Sequence, residues 1–517
     1  VSLLDALAVD FGRRPDEPLH RQLYERLVDD IEAGAMKPGQ KLPSTRDLAQ
    51  TLGVSRNTIM LAFEHLISEG FLEPVSGSGT YVAREPPPRP STSPPRINPA
   101  ITAAGSLDRV SGLTEVPATL RHMRKPVPFR ANFPAVDAFP MRRWAGLAAE
   151  IYRDMDAETA GELLGEGDPQ GYAPLREAIA EHVASSRGLS CRAENVIIFA
   201  GTQHAIDLAC RILLTPGEET WCEDPGYDGI YASVTAVGGR PVPIPVDENG
   251  LMVARALERA PDARLAYVSP SKQFPMGMEL SLDRRHALLD WSARTGAWIL
   301  EDDYDTEFRY SGRPQPSLHA LDRHGRVLYF GTFSKTLFPS LRLGFAVVPD
   351  ALVEPFVAAR TVIGRYSPIL EQALVARFMR DGYFGSHVRK MRKLYAQRQV
   401  CLLECTERLL SPWMTASPTP TGMEVVAQLK PGLSGRRLAA AAAEAGLEIM
   451  PLSALAREAE VDHLVSLGFS SFNAEQMEHG FLVLRTVLER IGAAQDGSRT
   501  DAPSLRKPVA SPAANVT

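Results

Sequence analysis

The segment Val327-Leu328-Tyr329-Phe330-Gly331-Thr332-Phe333-Ser334-Lys335 changes character halfway along. Four apolar and aromatic residues predict a short buried strand, and a run of small and polar residues then delivers a lysine. The same switch recurs. Val196–Phe199 runs into Gly201-Thr202-Gln203, Leu265–Val268 into Ser269-Pro270-Ser271, and residues 298–300 into Glu301-Asp302-Asp303-Tyr304. Helical periodicity fills the stretches between, as at 204–214 and Leu282–Thr295. Strand–helix alternation predicts a mostly parallel sheet with ligands bound at the carboxyl ends of its strands. Four such ends would bring a small-residue turn at a helix N-terminus, a carboxylate, a tyrosine and a lysine into one crevice.

That inventory suits one cofactor. A helix N-terminus binds phosphate through its backbone N–H groups and dipole. A lysine forms an imine with an aldehyde. A carboxylate facing a pyridine nitrogen keeps it protonated, so that the ring draws electrons. Together they describe pyridoxal 5′-phosphate. Taken singly each signal is weak, since a Ser-Lys pair is usually surface and an E-D-D run is more often a solvated loop. Their order, each after a strand, carries the reading.

Outward from this core the chain divides. Its 517 residues exceed one ordinary domain, and 44% hydrophobic with 23% charged residues is a globular composition. No apolar run approaches the roughly 18–20 residues of a membrane span, which argues against a membrane protein. Five cysteines without a C-x-x-C pair suit a reduced cytoplasm and no structural metal. Seven prolines fall between Pro86 and Pro99, a composition for an extended spacer. The expected organisation is a small domain over 1–84, a linker over 85–125, a large domain over 126–492 and a disordered tail over 493–517. The net charge of −6 speaks, as an average, against nucleic acid.

The small domain contradicts that average. Leu19, Leu23, Leu27 and Ile31 form a helical stripe. Ser44 predicts the cap of a second helix, with Asp47 at the third position reaching back. Ser55 predicts the cap of a third, with Ile59, Ala62, Phe63, Leu66 and Ile67 facing inward. Residues 71–82 change to strand period around Gly77-Ser78-Gly79 and predict a two-stranded wing. Arg46, Ser55, Arg56, Asn57 and Thr58 would face phosphates or base edges, with Gly77 and Gly79 bringing backbone close to a duplex. Residues 1–84 hold nine Lys/Arg against twelve Asp/Glu, yet between Lys37 and Arg56 there are four bases and one acid. Any three small helices with a hairpin share this outline, so the motifs decide. L-P-S-T-R-D-L-A at 42–49, G-V-S-R-N-T-I at 53–59, L-I-S-E-G-F-L at 66–72 and G-S-G-T-Y-V at 77–82 resemble the winged helix-turn-helix of the GntR regulators.

The large domain in turn resembles a fold-type I aminotransferase. The resemblance rests on G-D-P-Q-G-Y-A-P-L-R at 167–176, A-G-T-Q-H-A-I-D-L at 200–208, E-D-P-G-Y-D at 223–228, E-D-D-Y-D-T-E-F-R-Y at 301–310 and G-T-F-S-K-T-L-F-P-S-L-R-L-G at 331–344. With its head, the whole chain resembles the MocR subfamily of bacterial transcription regulators. The fold class expected is therefore multidomain: a small α+β winged helix-turn-helix and a large α/β aminotransferase-like domain with a mostly parallel sheet. The resemblance implies that Lys335 binds the cofactor as a Schiff base, Asp302 pairs with the pyridine nitrogen and Tyr304 with the phenolic oxygen. It implies that Tyr227 stacks on the ring. Gly201, Thr202, Gln203, Thr332, Ser334 and Arg342 would cradle the phosphate. It also implies a head-to-tail homodimer on double-stranded DNA with paired half-sites.

Some positions depart from the family pattern. An arginine that grips an effector carboxylate, two residues before the Gly of the late L-G-F segment, is here Ser466. A second, two residues after the stacking tyrosine, is here Gly229. The S-H-Q-F-P turn reads Ser271-Lys272-Gln273-Phe274-Pro275, the G-L-H segment reads Gly422-Met423-Glu424, and the tyrosine before G-D-P is Glu166. A charge-assisted bond is worth roughly 1.5–3 kcal/mol, so these losses point to an amine effector without an α-carboxylate, or to the cofactor itself. The competing class is a working aminotransferase carrying a DNA-binding head.

Overall fold

The computed structural model describes residues 17–87 and 127–500, with side chains to residue 492. It forms two compact units that divide between Leu107 and Asp108. Residues 88–125 of the expected linker, and 501–517 of the expected tail, lie outside the described residues.

In the small unit, helix α1 spans Leu19–Glu32 and buries Leu23, Leu27, Val28 and Ile31. Helix α2 spans Thr45–Leu52 and α3 spans Arg56–Ser68. Each begins on a serine. Ser44 Oγ accepts the Asp47 N–H at 3.2 Å and donates to the Asp47 carboxylate at 2.8 Å. Asp47 therefore holds the capping hydroxyl itself, where the sequence predicts a bond to backbone. Ser55 Oγ accepts the Thr58 N–H at 3.1 Å. Ile59, Ala62, Phe63 and Leu66 close the core with Leu27, Met36 and Leu48, while Ile67 is only partly buried. Strands β1 (Leu72–Val75) and β2 (Gly79–Val82) pair antiparallel in the register Leu72↔Val82 to Val75↔Gly79. Lys41 adds a bridge to Tyr81 that the sequence does not announce.

These caps carry a prediction. Ser55→Ala is expected to destabilise the small unit by about 1 kcal/mol, and Ser55→Gly by only a few tenths. The check is the shift in its thermal unfolding transition, and equal shifts for both variants would contradict the capping role.

The large unit is built on an eight-stranded sheet in the order β3-β10-β9-β8-β7-β4-β5-β6. The strands are β3 Val196–Phe199, β4 Glu219–Asp224, β5 Arg240–Asp247, β6 Gly250–Leu251, β7 Leu265–Val268, β8 Trp298–Asp303, β9 Val327–Thr332 and β10 Gly344–Val347. Strands β5, β4, β7, β8 and β9 run parallel, whereas β10 is antiparallel to both β3 and β9. Two layers explain the apolar runs. Val196 and Ile198 pack with residues of the helices Ala173–Arg187, Ile369–Arg380 and Tyr383–Cys405. Ile197 and Phe199 pack with those of Thr202–Leu213, Asp228–Ala236 and Asp350–Ile363. A strand covered on both faces reads as continuously hydrophobic rather than alternating. A second sheet, in the order β11-β12-β14-β13, is wholly antiparallel: β11 Met414–Ala416, β12 Glu424–Leu429, β13 Met450–Pro451 and β14 Leu464–Gly468.

Two boundaries differ from expectation. Strand β8 continues through Asp303, so Asp302 belongs to the strand, held by pairing with Phe330. The last helix, Ala474–Thr500, carries the backbone eight residues into the stretch expected as a disordered tail. Its apolar anchors Met477, Phe481, Leu484, Val487 and Leu488 are buried, and a helix nucleated on such a face can propagate beyond it. No helix among the described residues is long and apolar enough to cross a membrane.

Candidate functional site

Because β10 opposes both its neighbours, β3 and β9 point the same way, and β7 and β8 point with them. Their carboxyl ends therefore lie along one edge of the sheet. Gly201 follows β3, Tyr227 follows β4, Asp302 lies at the end of β8 with Tyr304 just after it, and Lys335 follows β9.

Lys335 Nζ donates to the Asn132 carbonyl at 2.7 Å. Burial lowers its pKa, against the pull of Glu424 and Asp305. Asp302 is 9% exposed. Its Oδ2 accepts the Tyr267 hydroxyl, while Oδ1 is buried without a hydrogen-bond partner. Burial pushes this carboxyl up to about 6. The Tyr304 hydroxyl is likewise buried and unpartnered, and burial drives its pKa well up. Buried polar atoms are nearly always paired, so two orphans on one strand end mark a place built for a polar ligand. The Tyr227 ring lies 6.3 Å from Tyr267, inclined at 29°, and 6.3 Å from the Phe274 ring.

The turn at Gly201 forms the other end of the site. Gly201 has φ 96°, and a Cβ there would stand 3.3 Å from three atoms of the Arg342 guanidinium. Glycine thus lets the cation lie against the first turn of the helix Thr202–Leu213. Arg342, itself at φ 52°, donates to the Ala200 carbonyl at 2.8 Å and is exposed. Gln203 spends its side-chain amide on the Gly229 carbonyl (3.2 Å) and Ser233 Oγ (3.0 Å), leaving its backbone N–H for a ligand. Thr202 Oγ1 donates to the Gly331 carbonyl at 3.4 Å, and Thr332 Oγ1 accepts the Ser334 N–H at 3.1 Å.

Of the positions that depart from the family pattern, Gly229, Ser466, Lys272 and Glu424 are buried, whereas Glu166 is exposed. A Cβ on Gly229 would come within 2.0 Å of Gln203 Oε1 and 2.3 Å of the Tyr227 ring, so a side chain there requires both to move. Ser466 is fully buried, with Oγ unpartnered. Lys272 Nζ donates to Asp305 at 2.8 Å and to Glu424. Sequence reasoning missed Asn132, Tyr267 and Glu223. Tyr267 read as one more aromatic in a core strand. Glu223, whose Oε2 accepts from Ser269 Oγ at 2.7 Å, is pushed up to about 7 by burial. For Tyr267 the signal was a hydroxyl inside an otherwise apolar strand, whereas Glu223 sits in the mixed strand E-T-W-C-E-D and gave none.

In the small unit Arg46, Ser55, Arg56 and Asn57 are exposed, whereas Thr58 is half-buried and bonded to the capping serine at 2.8 Å. Arg56 Nε donates to Thr45 Oγ1 at 3.3 Å, tying together the starts of α2 and α3. Gly77 and Gly79 are exposed on the wing. A Cβ on Gly79 would meet Lys41 Cε at 2.9 Å, so this glycine lets Lys41 cross the hairpin, 5.9 Å from the Tyr81 ring centroid.

Residues 125–455 match the aminotransferase class I and II family, and residues 19–82 match the bacterial regulatory proteins of the gntR family. The chain is similar to the probable rhizopine catabolism regulatory protein MocR of Rhizobium meliloti, with 38% identity over 95% of this chain and 98% of that one. It is also similar to the pyridoxine biosynthesis transcriptional regulator PdxR of Corynebacterium glutamicum, with 30% identity over 74% of this chain and 78% of that one. Among solved structures it is similar to the α-aminoadipate aminotransferase LysN of Thermus thermophilus, complexed with N-(5′-phosphopyridoxyl)-L-leucine. That likeness has a TM-score of 0.67 at 28% identity and covers 74% of this chain and 98% of LysN.

Proposed function

Because this chain belongs to the MocR-type regulators, which join a GntR-type helix-turn-helix head to an aminotransferase class I and II domain, we propose that it holds pyridoxal 5′-phosphate at Lys335 and senses an amine there. The observation that carries the reading is the pair of unpartnered buried atoms, Asp302 Oδ1 and the Tyr304 hydroxyl, on the strand end beside Lys335. The cofactor supplies an aldehyde that condenses reversibly with primary amines, and a ring that draws electrons.

Lys335 would bind it, and the lowered pKa of Nζ keeps more of the amine in the nucleophilic neutral form. Asp302 Oδ1 would take a proton-bearing ring nitrogen, with Tyr267 fixing the other carboxylate oxygen. Tyr304 would donate to the phenolic oxygen, and Tyr227 would cover the ring face. The helix start at Thr202 and Gln203, with Thr332, Ser334 and Arg342, would hold the phosphate. Gly229 and Ser466 leave neither of the two family arginines in place, which supports an effector amine without an α-carboxylate. One relative is named for rhizopine catabolism and another for pyridoxine biosynthesis. The higher identity and fuller coverage of the first favour a catabolic effector over the cofactor as signal.

The head is a DNA-binding domain of the GntR type. Its narrow basic strip suits a homodimer on paired half-sites, where two weak contacts add. The effector acts by binding one state of that dimer better than another. The test loads purified protein with the cofactor, reduces it with borohydride and maps the modified residue. Promoter affinity is then compared with and without amine. A tag on Lys335 and an amine-dependent affinity are expected. Sustained transfer of amino groups to a keto acid, with DNA affinity unmoved, would favour a working aminotransferase instead.

A pH dependence follows from Asp302. Its folded pKa of about 6 lies above the ordinary 3.8. Between those values the folded chain keeps a proton that the unfolded chain has lost, so stability falls as pH rises through the window. A cationic ring nitrogen beside Oδ1 offsets this loss. The melting-temperature advantage of loaded over cofactor-free protein should therefore grow from about pH 4 to about pH 6. A difference independent of pH would contradict the pairing.

A further inference from the structure

Two of the departures from the family pattern, 152 residues apart, meet in space. Lys272 Nζ bonds both Asp305 Oδ2, at 2.8 Å, and Glu424 Oε1. The three side chains are 3%, 0% and 3% exposed. Gly422, at φ 95°, makes room for them, because a Cβ there would stand 2.0 Å from Lys272 Nζ and 2.7 Å from Asp305 Oδ2. The ammonium also lies 5.6 Å from the centroid of the Tyr304 ring. From Glu424 a chain of bonds leads to the candidate cofactor lysine. Its Oε2 accepts the Asn132 N–H at 3.2 Å, and the Asn132 carbonyl accepts Lys335 Nζ at 2.7 Å.

The cluster carries more acid than base, with two carboxylates to one ammonium. Two of its buried acceptors, Asp305 Oδ1 and Asn132 Oδ1, have no partner, and neither have the buried hydroxyls of Thr421 and Ser466, which can donate as well as accept. Ser466 shares a sheet face with Glu424, since β12 and β14 pair Glu424↔Gly468 and Val426↔Ser466. A buried surplus of negative charge is relieved by a proton or by a cation. Burial raises the pKa of Asp305 accordingly. Burial also works against the Lys272 charge, but Asp305 and Glu424 outweigh it and hold that pKa above the ordinary value.

We propose that the Lys272–Asp305–Glu424 cluster determines effector class at this site, repelling an α-carboxylate and accepting hydroxyl or ammonium donors carried by a primary amine. The proposal rests on the reading that Lys335 carries the cofactor. Where a carboxylate-binding site would present an arginine, this chain presents unpaired acceptors and a surplus carboxylate. A ligand with a carboxylate would leave the acceptors unmet and add repulsion, and specificity of this kind comes as much from the repulsive element as from the attractive one.

The test uses matched amines. Serinol and L-serine share an amine and one hydroxymethyl group, and differ only in a second hydroxymethyl against a carboxylate. Full-length, cofactor-loaded protein is titrated with each while its visible absorption band is followed. Half-saturation is expected at a concentration at least about tenfold lower for serinol, the factor that 1.4 kcal/mol supplies. The pair L-alaninol and L-alanine should show the same direction. In Glu424→Gln, which leaves Lys272 paired with Asp305 alone, the serinol preference should contract toward unity. Serine binding as well as or better than serinol overturns the proposal, as does no response to either amine with the band present, or an undiminished preference in a folded Glu424→Gln protein. If that variant does not fold, the two matched pairs on the parent protein decide. Absence of a cofactor band from the parent overturns instead the reading on which the proposal rests.

Discussion

Lys335→Ala is expected to abolish covalent retention of the cofactor and, with it, every response of DNA affinity to an amine. The side chain follows β9, the strand beside the β8 end that carries the orphaned atoms, and its Nζ has one hydrogen bond, to the Asn132 carbonyl. Removing it leaves intact the phosphate cradle proposed at Gly201 and Arg342, so residual non-covalent binding is expected. That binding should be weaker by roughly 100-fold, about 2.8 kcal/mol. Gel filtration of the loaded variant should strip the visible band that the parent keeps, and borohydride should leave no tag. Folding should survive, because burial already works against the Lys335 charge and truncation removes that cost. Basal DNA binding should survive as well, since the head has its own core of Leu27, Leu48, Ile59 and Leu66. Lys335→Arg separates charge from chemistry: it restores a cation that forms no imine, and it should behave as alanine does. A Lys335→Ala protein that still answers to amines would place the sensing elsewhere.

The strand ends that make this prediction were legible because each announces itself locally. An apolar run that stops at a polar cluster needs no knowledge of the fold, and the order of four such stops was enough to place Lys335, Asp302, Tyr304 and Gly201 on one edge. The serine caps at Ser44 and Ser55 were legible for the same reason, since a cap is a relation over three residues. What sequence could not deliver were relations over long separations. Tyr267 holds Asp302 across 35 residues, and nothing in Leu265–Val268 says that this aromatic turns its hydroxyl to a carboxylate. Lys272 and Glu424 each read as isolated departures, and only the meeting of the 272 turn with β12 makes them one charged unit. Gly229 read as the loss of an arginine, whereas in the fold Gln203 and Tyr227 pack over it where a Cβ would stand. Charge misled by averaging. The net −6 belongs to the whole chain, and the strip from Lys37 to Arg56, four bases to one acid, is too short to move it.

That strip yields a second large effect. The double variant Arg46→Ala with Arg56→Ala should weaken DNA binding by roughly 100-fold at low salt, about 1.4 kcal/mol for each arginine. Both side chains are exposed. Arg56 is steadied at 3.3 Å by Thr45, the first residue of α2, so the two cations stand at the adjoining helix starts where a backbone phosphate would lie. Phosphate contacts release counterions, so the slope of log affinity against log salt should flatten by about 2 in the double variant. The loss should be uniform, as large on unrelated duplex as on the operator, because phosphates carry no sequence. Asn57 supplies the contrast. It is exposed at the second residue of α3 and its amide can read a base edge, so Asn57→Ala should leave the salt slope unchanged. It should instead narrow the gap between operator and unrelated duplex by about 1–3 kcal/mol. Affinity measured across a salt series on both duplexes separates the two roles. An arginine double variant whose salt slope matches the parent's would remove α2 and α3 from the phosphate backbone, and a wing-first mode of docking through Lys41 and the Gly77–Gly79 turn would take their place.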